Sequence, residues 1–112
     1  MKMTLETRTI AVHALRTTTA HQITTRCADH SGGRCAVGVI AEALGCNVLD
    51  MMVDPYGIVE GYGIPHAEVY QMNDGHCAPQ TFAQIADWLE TLPVTDPCPN
   101  TIPWNTPVEV KV

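Results

Sequence analysis

The stretch CAVGVIAEAL, residues 35–44, decides how the rest of the chain is read. Glu42 is its one charge, and a helical run that is apolar almost all round must be surrounded by protein on nearly every side. Gly45 follows it, the residue type that closes a helix in the left-handed conformation. The segment is therefore expected as the central helix of a small domain. Gly38 inside it costs roughly 1 kcal/mol relative to Ala, and its usual justification is the close approach of a neighbouring backbone.

Upstream, Thr4 is placed to cap a first helix over Leu5 to Thr17, with Leu5, Ala11, Ala14 and Leu15 toward the core. The β-branched Thr17, Thr18 and Thr19 weaken its end. Ile23 to Cys27 is short and β-branched, and Asp29 to Gly33 is a turn by composition. Residues 22–36 are thus expected to form a small hairpin, or a strand followed by a loop.

Downstream, residues 46–64 set Pro55, Gly57, Gly61 and Gly63 among Met51, Met52, Val53, Tyr56, Ile58, Val59 and Tyr62, which reads as a long loop with apolar anchors. Loops of that length inside compact domains are uncommon and often functional. Pro65 stands at a first helical position before a helix from His66 to Asn73, with Asp74 and Gly75 as its exit. A last helix opens on a capping box, Thr81 to Gln84, places Phe82, Ile85, Ala86 and Leu89 on one face, and stops at Pro93. Residues 93–112 hold Pro93, Pro97, Pro99, Pro103 and Pro107 and cannot be helical. The predicted architecture is mainly α (α+β): three or four short helices around a central apolar helix, with a small β element and a Pro-rich C-terminal arm. Residues 1–92 are expected as one compact domain, and 93–112 as an extended arm that wraps the domain or reaches a second subunit.

Composition bounds the partners. A chain of 112 residues with 46% apolar content and a net charge of −6 is one soluble globular domain. Its longest apolar run, Cys35 to Ala41, falls far short of the roughly 18–20 residues of a membrane span. The amino terminus turns polar at once, so no secretory signal is expected and a cytoplasm is the expected location. The five cysteines are an odd number and are expected as reduced thiols. Residues 1–34 carry Lys2, Arg8, Arg16, Arg26 and Arg34, whereas residues 35–110 carry carboxylates and neither Lys nor Arg. The arginines either pair with those carboxylates across the fold or leave a bipolar surface that steers a charged partner. Scattered arginines do not make the clustered basic face of a nucleic-acid binder. Neither a P-loop nor a dinucleotide fingerprint occurs, and no cofactor is expected.

Three separated blocks then carry a likeness. Ala14-Leu15-Arg16 with Gln22, Gly33-Arg34-Cys35-Ala36-Val37-Gly38-Val39-Ile40, and Met72-Asn73-Asp74-Gly75 followed by residues 82–90 come in that order. Over residues 12–90 the chain resembles a family of small uncharacterised bacteriophage proteins whose pattern runs ALRSG, a Gln, G-x-CCLGVL, LND-x-G and FxxIAxxIE. It departs from that pattern at Arg34, where the first Cys of the pair is usual, at Ala41, where a further Cys is frequent, and at Thr17-Thr18, where Ser-Gly is usual. The resemblance implies phage origin and expression in a bacterial cytoplasm, and it brings no established activity.

Three candidate sites follow. In the first, Cys35 at the head of the central helix is a nucleophile. Backbone amides and the helix dipole would lower its pKa, His66 or His76 would be the base, Asn73 and Asp74 orienting groups, and Gln22 an oxyanion donor. Against this, Cys35 reads equally as a small buried apolar residue under the turn. In the second, Cys27, His30 and Cys35, with His76 and Cys77, would ligate zinc; the spacing is irregular and no metal site is favoured. The third is an adaptable apolar surface made of Met51, Met52, Tyr56, Ile58 and Tyr62, or else a loop that completes the core. The function expected on balance is that of a small phage accessory protein. It would bind and perturb a host protein without catalysis, be cytotoxic to the host when overproduced, and homodimerise through the loop or the tail. The alternative is a small cysteine-dependent hydrolase or transferase using Cys35 with His66 or His76.

Overall fold

The computed structural model describes residues 3–75 and 80–95. In chain order they form α1 (Leu5–Thr17), β1 (His21–Gln22), β2 (Gly33–Arg34), α2 (Ala36–Ala43), α3 (Pro55–Gly61), α4 (His66–Asp74) and α5 (Phe82–Glu90). The fold is mainly α with a small β element; α1, α3 and α4 pack on α2, and α5 packs on α1 and α4. No helix of the described residues is long and apolar enough to cross a membrane.

Ala36 to Ala41 are all buried, with Val37 and Ile40 wholly inaccessible. With Cys35 also buried, the enclosure expected of the central segment holds for its first seven residues. Glu42 and Ala43 emerge into solvent, where Arg34 meets the Glu42 carboxylate at 2.9 Å. Gly45 takes φ 98° and turns the chain out of the helix. Around α2, the core closes with Val12 and Leu15 from α1, Val59 from α3, Val69 from α4, and Ile85, Ala86 and Leu89 from α5.

The Thr4 hydroxyl accepts the Thr7 N–H at 3.1 Å and starts α1 as expected. Its buried face is Thr7, Ala11, Val12 and Leu15. Leu5, expected inside, is 45% exposed, because it stands about half a turn from Thr7 and so on the outer side. Two arginines of α1 reach α5. Arg8 donates to the carbonyl of Leu92 at 2.7 Å, just past the end of α5, and Arg16 pairs with Asp87 at 2.8 Å and Glu90 at 2.7 Å. The Thr81–Gln84 capping box is present in both directions, at 3.2 and 2.9 Å. Beyond α5, the Thr95 N–H donates to the Met3 carbonyl at 2.8 Å, so the chain leaves the helix alongside its own beginning. The rest of the predicted arm, from residue 96, lies outside the described residues.

Two expectations are corrected. The segment 46–64 is not one long loop: Pro55 occupies a first helical position and α3 runs for seven residues, with Val59 buried as its anchor. The β element is also neither a plain hairpin nor a lone strand followed by a loop. β1 pairs with β2 in parallel, His21 opposite Gly33 and Gln22 opposite Arg34, while Ala28 bridges Arg34 in the antiparallel sense. The turn at residues 29–33 is held by Asp29, whose carboxylate accepts the N–H of Ser31 at 2.9 Å and of Gly33 at 2.8 Å. These bonds, that of Gly33 first, hold the carboxyl below the usual range.

Candidate functional site

The antiparallel bridge sets residues 27 and 35 opposite each other, and the Cys35 N–H donates to the Cys27 carbonyl at 3.0 Å. Opposed residues of an antiparallel pair send their side chains to the same side. The two thiols accordingly face each other and influence each other's ionisation, and α3 brings the Tyr56 hydroxyl to Cys27. The Tyr56 ring stands edge-on to His66, with centroids 5.9 Å apart, and to Tyr70, at 6.1 Å. Gly38 completes the packing: the Cys27 carbonyl oxygen occupies the place that a Cβ at residue 38 would need.

The two thiols differ in kind. Cys35 is 2% exposed, and its Sγ accepts the Gly38 N–H at 3.4 Å as the N-cap of α2. Its pKa is raised, first because it donates to Cys27 and then because burial penalises a charge. The amides of Gly38 and Val37 oppose this without overcoming it, so the lowering expected of the helix N-terminus is reversed. Cys27 is lowered to about 7: the hydrogen bond from Cys35 is the main cause and that from Tyr56 assists, against burial and the charges of Asp54 and Asp74. Tyr56, as a donor to Cys27, has its own ionisation pushed up. Cys46, half-buried nearby, is raised by burial.

The residues proposed to serve Cys35 are engaged elsewhere. Asn73 is 1% exposed; its Oδ1 accepts from the Ala36 N–H at 3.0 Å and from Gln22 Nε2 at 2.8 Å, and its Nδ2 donates to the Ile23 carbonyl at 2.8 Å and to Asp74 at 3.0 Å. Gln22 also donates to the Gln80 carbonyl at 2.7 Å. Gln22 and Asn73 are thus brought together as a clasp joining β1, the head of α2 and α4. His66 faces Glu60, at 3.5 Å, and Tyr56; no hydrogen bond joins it to Cys35 among the described residues. His76 lies outside them. Nor do the described residues contain a group of three or more His, Cys, Asp or Glu side chains set to hold a metal ion.

The five residues expected to form one binding surface separate. Met51 and Met52 are 97% and 91% exposed, on a tip closed by Asn47 and Asp50: Leu49 N–H donates to Asn47 Oδ1 at 3.3 Å and Met52 N–H to Asp50 Oδ1 at 2.9 Å. Ile58 and the exposed Tyr62 line a different, open depression with Leu44, Cys46 and Gly57. Tyr56 turns inward to Cys27. The sequence offers Cys27 only as a candidate zinc ligand with Cys35, although a hairpin centred on Ser31 already places residue 27 opposite residue 35 as a thiol pair. Comparison with protein-family models, with curated proteins and with solved structures gives no match for this chain.

Proposed function

We propose that this protein acts by binding another protein rather than by catalysis, with Met51 and Met52 as its principal contact. The single observation that carries this reading is that two adjacent, large apolar side chains stand almost entirely in solvent on a tip whose backbone is held by its own hydrogen bonds. Burying each methionine gains roughly 1.5–3 kcal/mol, and flexible thioethers adapt to the shape of a groove. Leu49, exposed beside them, enlarges the patch, and the exposed carboxylates of Asp50 and Asp54 give it an acidic border. The complementary partner has an apolar groove flanked by Lys or Arg. The likeness to phage proteins makes that partner a host protein, and cytotoxicity on overproduction would follow from occupying its groove.

The test compares the wild-type chain with the Met51→Asp/Met52→Asp double variant. Each is used to capture proteins from a bacterial lysate, and the partner identified is then titrated in purified form. The expected loss of affinity is at least about 100-fold with an unchanged circular dichroism spectrum. A partner that binds both chains equally would sink the proposal, and so would a concentration-dependent dimer of the wild type that the double variant no longer forms.

A further inference from the structure

We propose that Cys27 and Cys35 form a peroxide-responsive dithiol, in which Cys27 is the thiol that reacts and Cys35 the one that resolves it into an internal disulfide. Two geometric observations carry this, and the groups beside Cys27 support it. The residues oppose each other across the bridge at Ala28 and Arg34, joined by the 3.0 Å bond from the Cys35 N–H to the Cys27 carbonyl. Residues opposed across an antiparallel pair have Cα atoms about 4.5–5.5 Å apart, inside the roughly 4.4–6.8 Å that a disulfide spans. The pair also differs in access: Cys35 is 2% exposed, whereas Cys27, buried but at 9%, lines a surface cavity of about 260 Å³ with Arg26, Asp29, His30 and Met51. The Cys35 thiol and the Tyr56 hydroxyl beside Cys27 also favour its thiolate, and the thiolate is the nucleophile.

The chemistry balances with hydrogen peroxide as the oxidant. The Cys27 thiolate sulfur attacks one peroxide oxygen, the O–O bond breaks, and the departing hydroxide takes up a proton to become water, leaving Cys27 as the sulfenic acid. The Cys35 sulfur then displaces that oxygen: an S–S bond forms, the S–O bond breaks, and a second water leaves with the proton of the Cys35 thiol. Two thiols are oxidised and one peroxide is reduced to two waters. Cys46 is a poor competitor, because burial holds it as the thiol.

The experiment uses the full chain under native conditions. It is treated with one equivalent of hydrogen peroxide near neutral pH, quenched with N-ethylmaleimide, and digested with trypsin and a Glu-specific protease. Cleavage at Arg26, Arg34 and Glu42 places Cys27 on the peptide 27–34 and Cys35 on 35–42, so that a bridge between them is read directly by mass. The expected product is that linked pair, lighter than the two free peptides by two hydrogens and dominant over every other pairing. In Cys35→Ser, Cys27 should instead accumulate as a sulfenic acid trapped by dimedone. Cys27 still alkylated while other cysteines are oxidised, or disulfides scattered between molecules, would overturn the proposal, and the wild-type result holds whether or not the variant folds.

Discussion

The carbonyl oxygen of Cys27 rests against the Cα of Gly38, in the space that any larger residue at 38 would fill with its Cβ. The contact lets the loop before β2 lie flat on α2 and so brings the Cys27 and Cys35 side chains together. A glycine in mid-helix sacrifices about 1 kcal/mol of propensity, and here the sacrifice is imposed by packing. Gly38→Ala regains that propensity but forces a backbone carbonyl, which cannot swing aside, away from the helix. Overpacking of this kind costs about 1–3 kcal/mol, so the variant should be net destabilised in urea unfolding. Gly61→Ala is the control. Residue 61 ends α3 with open space around it and without a positive φ, and the change should be neutral or stabilising by up to about 1 kcal/mol. Equal effects at the two positions would refute the contact.

Asn73 answers for three separate pieces of backbone and side chain at once. Removing it in Asn73→Ala leaves the Ala36 N–H, a buried donor at the head of α2, without its partner, and frees Gln22 and the Ile23 carbonyl. An orphaned buried donor alone costs about 1–3 kcal/mol, and the other two bonds roughly 1 kcal/mol each, so a loss of about 3–5 kcal/mol is expected. Gln22→Ala should cost less, since Asn73 keeps its other partners. A thermal melt ranking Gln22→Ala as the worse variant would contradict the clasp.

The thiol pair predicts a dependence on pH whose sign is fixed. Folded Cys27 loses its proton at about pH 7, whereas in the unfolded chain it keeps it up to the ordinary thiol value near 8.5. Between those values the unfolded state holds more protons, so this residue's contribution to stability rises with pH through that window and is lost as pH falls through about 7. Alkylation of native Cys27 by iodoacetamide should show a midpoint near 7, with Cys35 and Cys46 reacting only at distinctly higher pH. Tyr56→Phe removes one donor to the thiolate and should move the Cys27 midpoint upward while leaving Cys46 where it was. A Cys27 midpoint that ignores the hydroxyl would show that Tyr56 does not reach the sulfur.

How far the sequence discloses all this depends on whether the signal is local. α5 is legible because its capping box and its buried face lie within nine residues, and the head of α2 because six consecutive positions are apolar. α3 is not legible: Gly57 and Gly61 both lower its propensity, and it exists because Val59 is buried against the core. The parallel pairing of His21 with Gly33 is equally hidden, since nothing in a two-residue strand records its partner. The opposition of Cys27 and Cys35 lies between these cases. The turn composition at residues 29–33 implies it, but the asymmetry of the two thiols comes from Tyr56, which arrives on an element the sequence did not announce.

The separation of Met51 and Met52 from Tyr56 gives a last prediction, because residues that read as one apolar surface should now behave oppositely. Met51→Ala/Met52→Ala removes side chains that touch little of the folded protein, so stability should stay within about 0.5 kcal/mol of wild type. Tyr56→Ala removes the ring wedged between His66 and Tyr70 together with the hydroxyl that meets Cys27, and should cost about 2–3 kcal/mol. Tyr62, exposed at the end of α3, should resemble the methionines in this respect. Measured by urea unfolding, this order separates a displayed tip from a side chain that has become part of the thiol pocket. If the methionine pair proved as costly as Tyr56, the tip would be packed against the protein and its surface would not be free to bind.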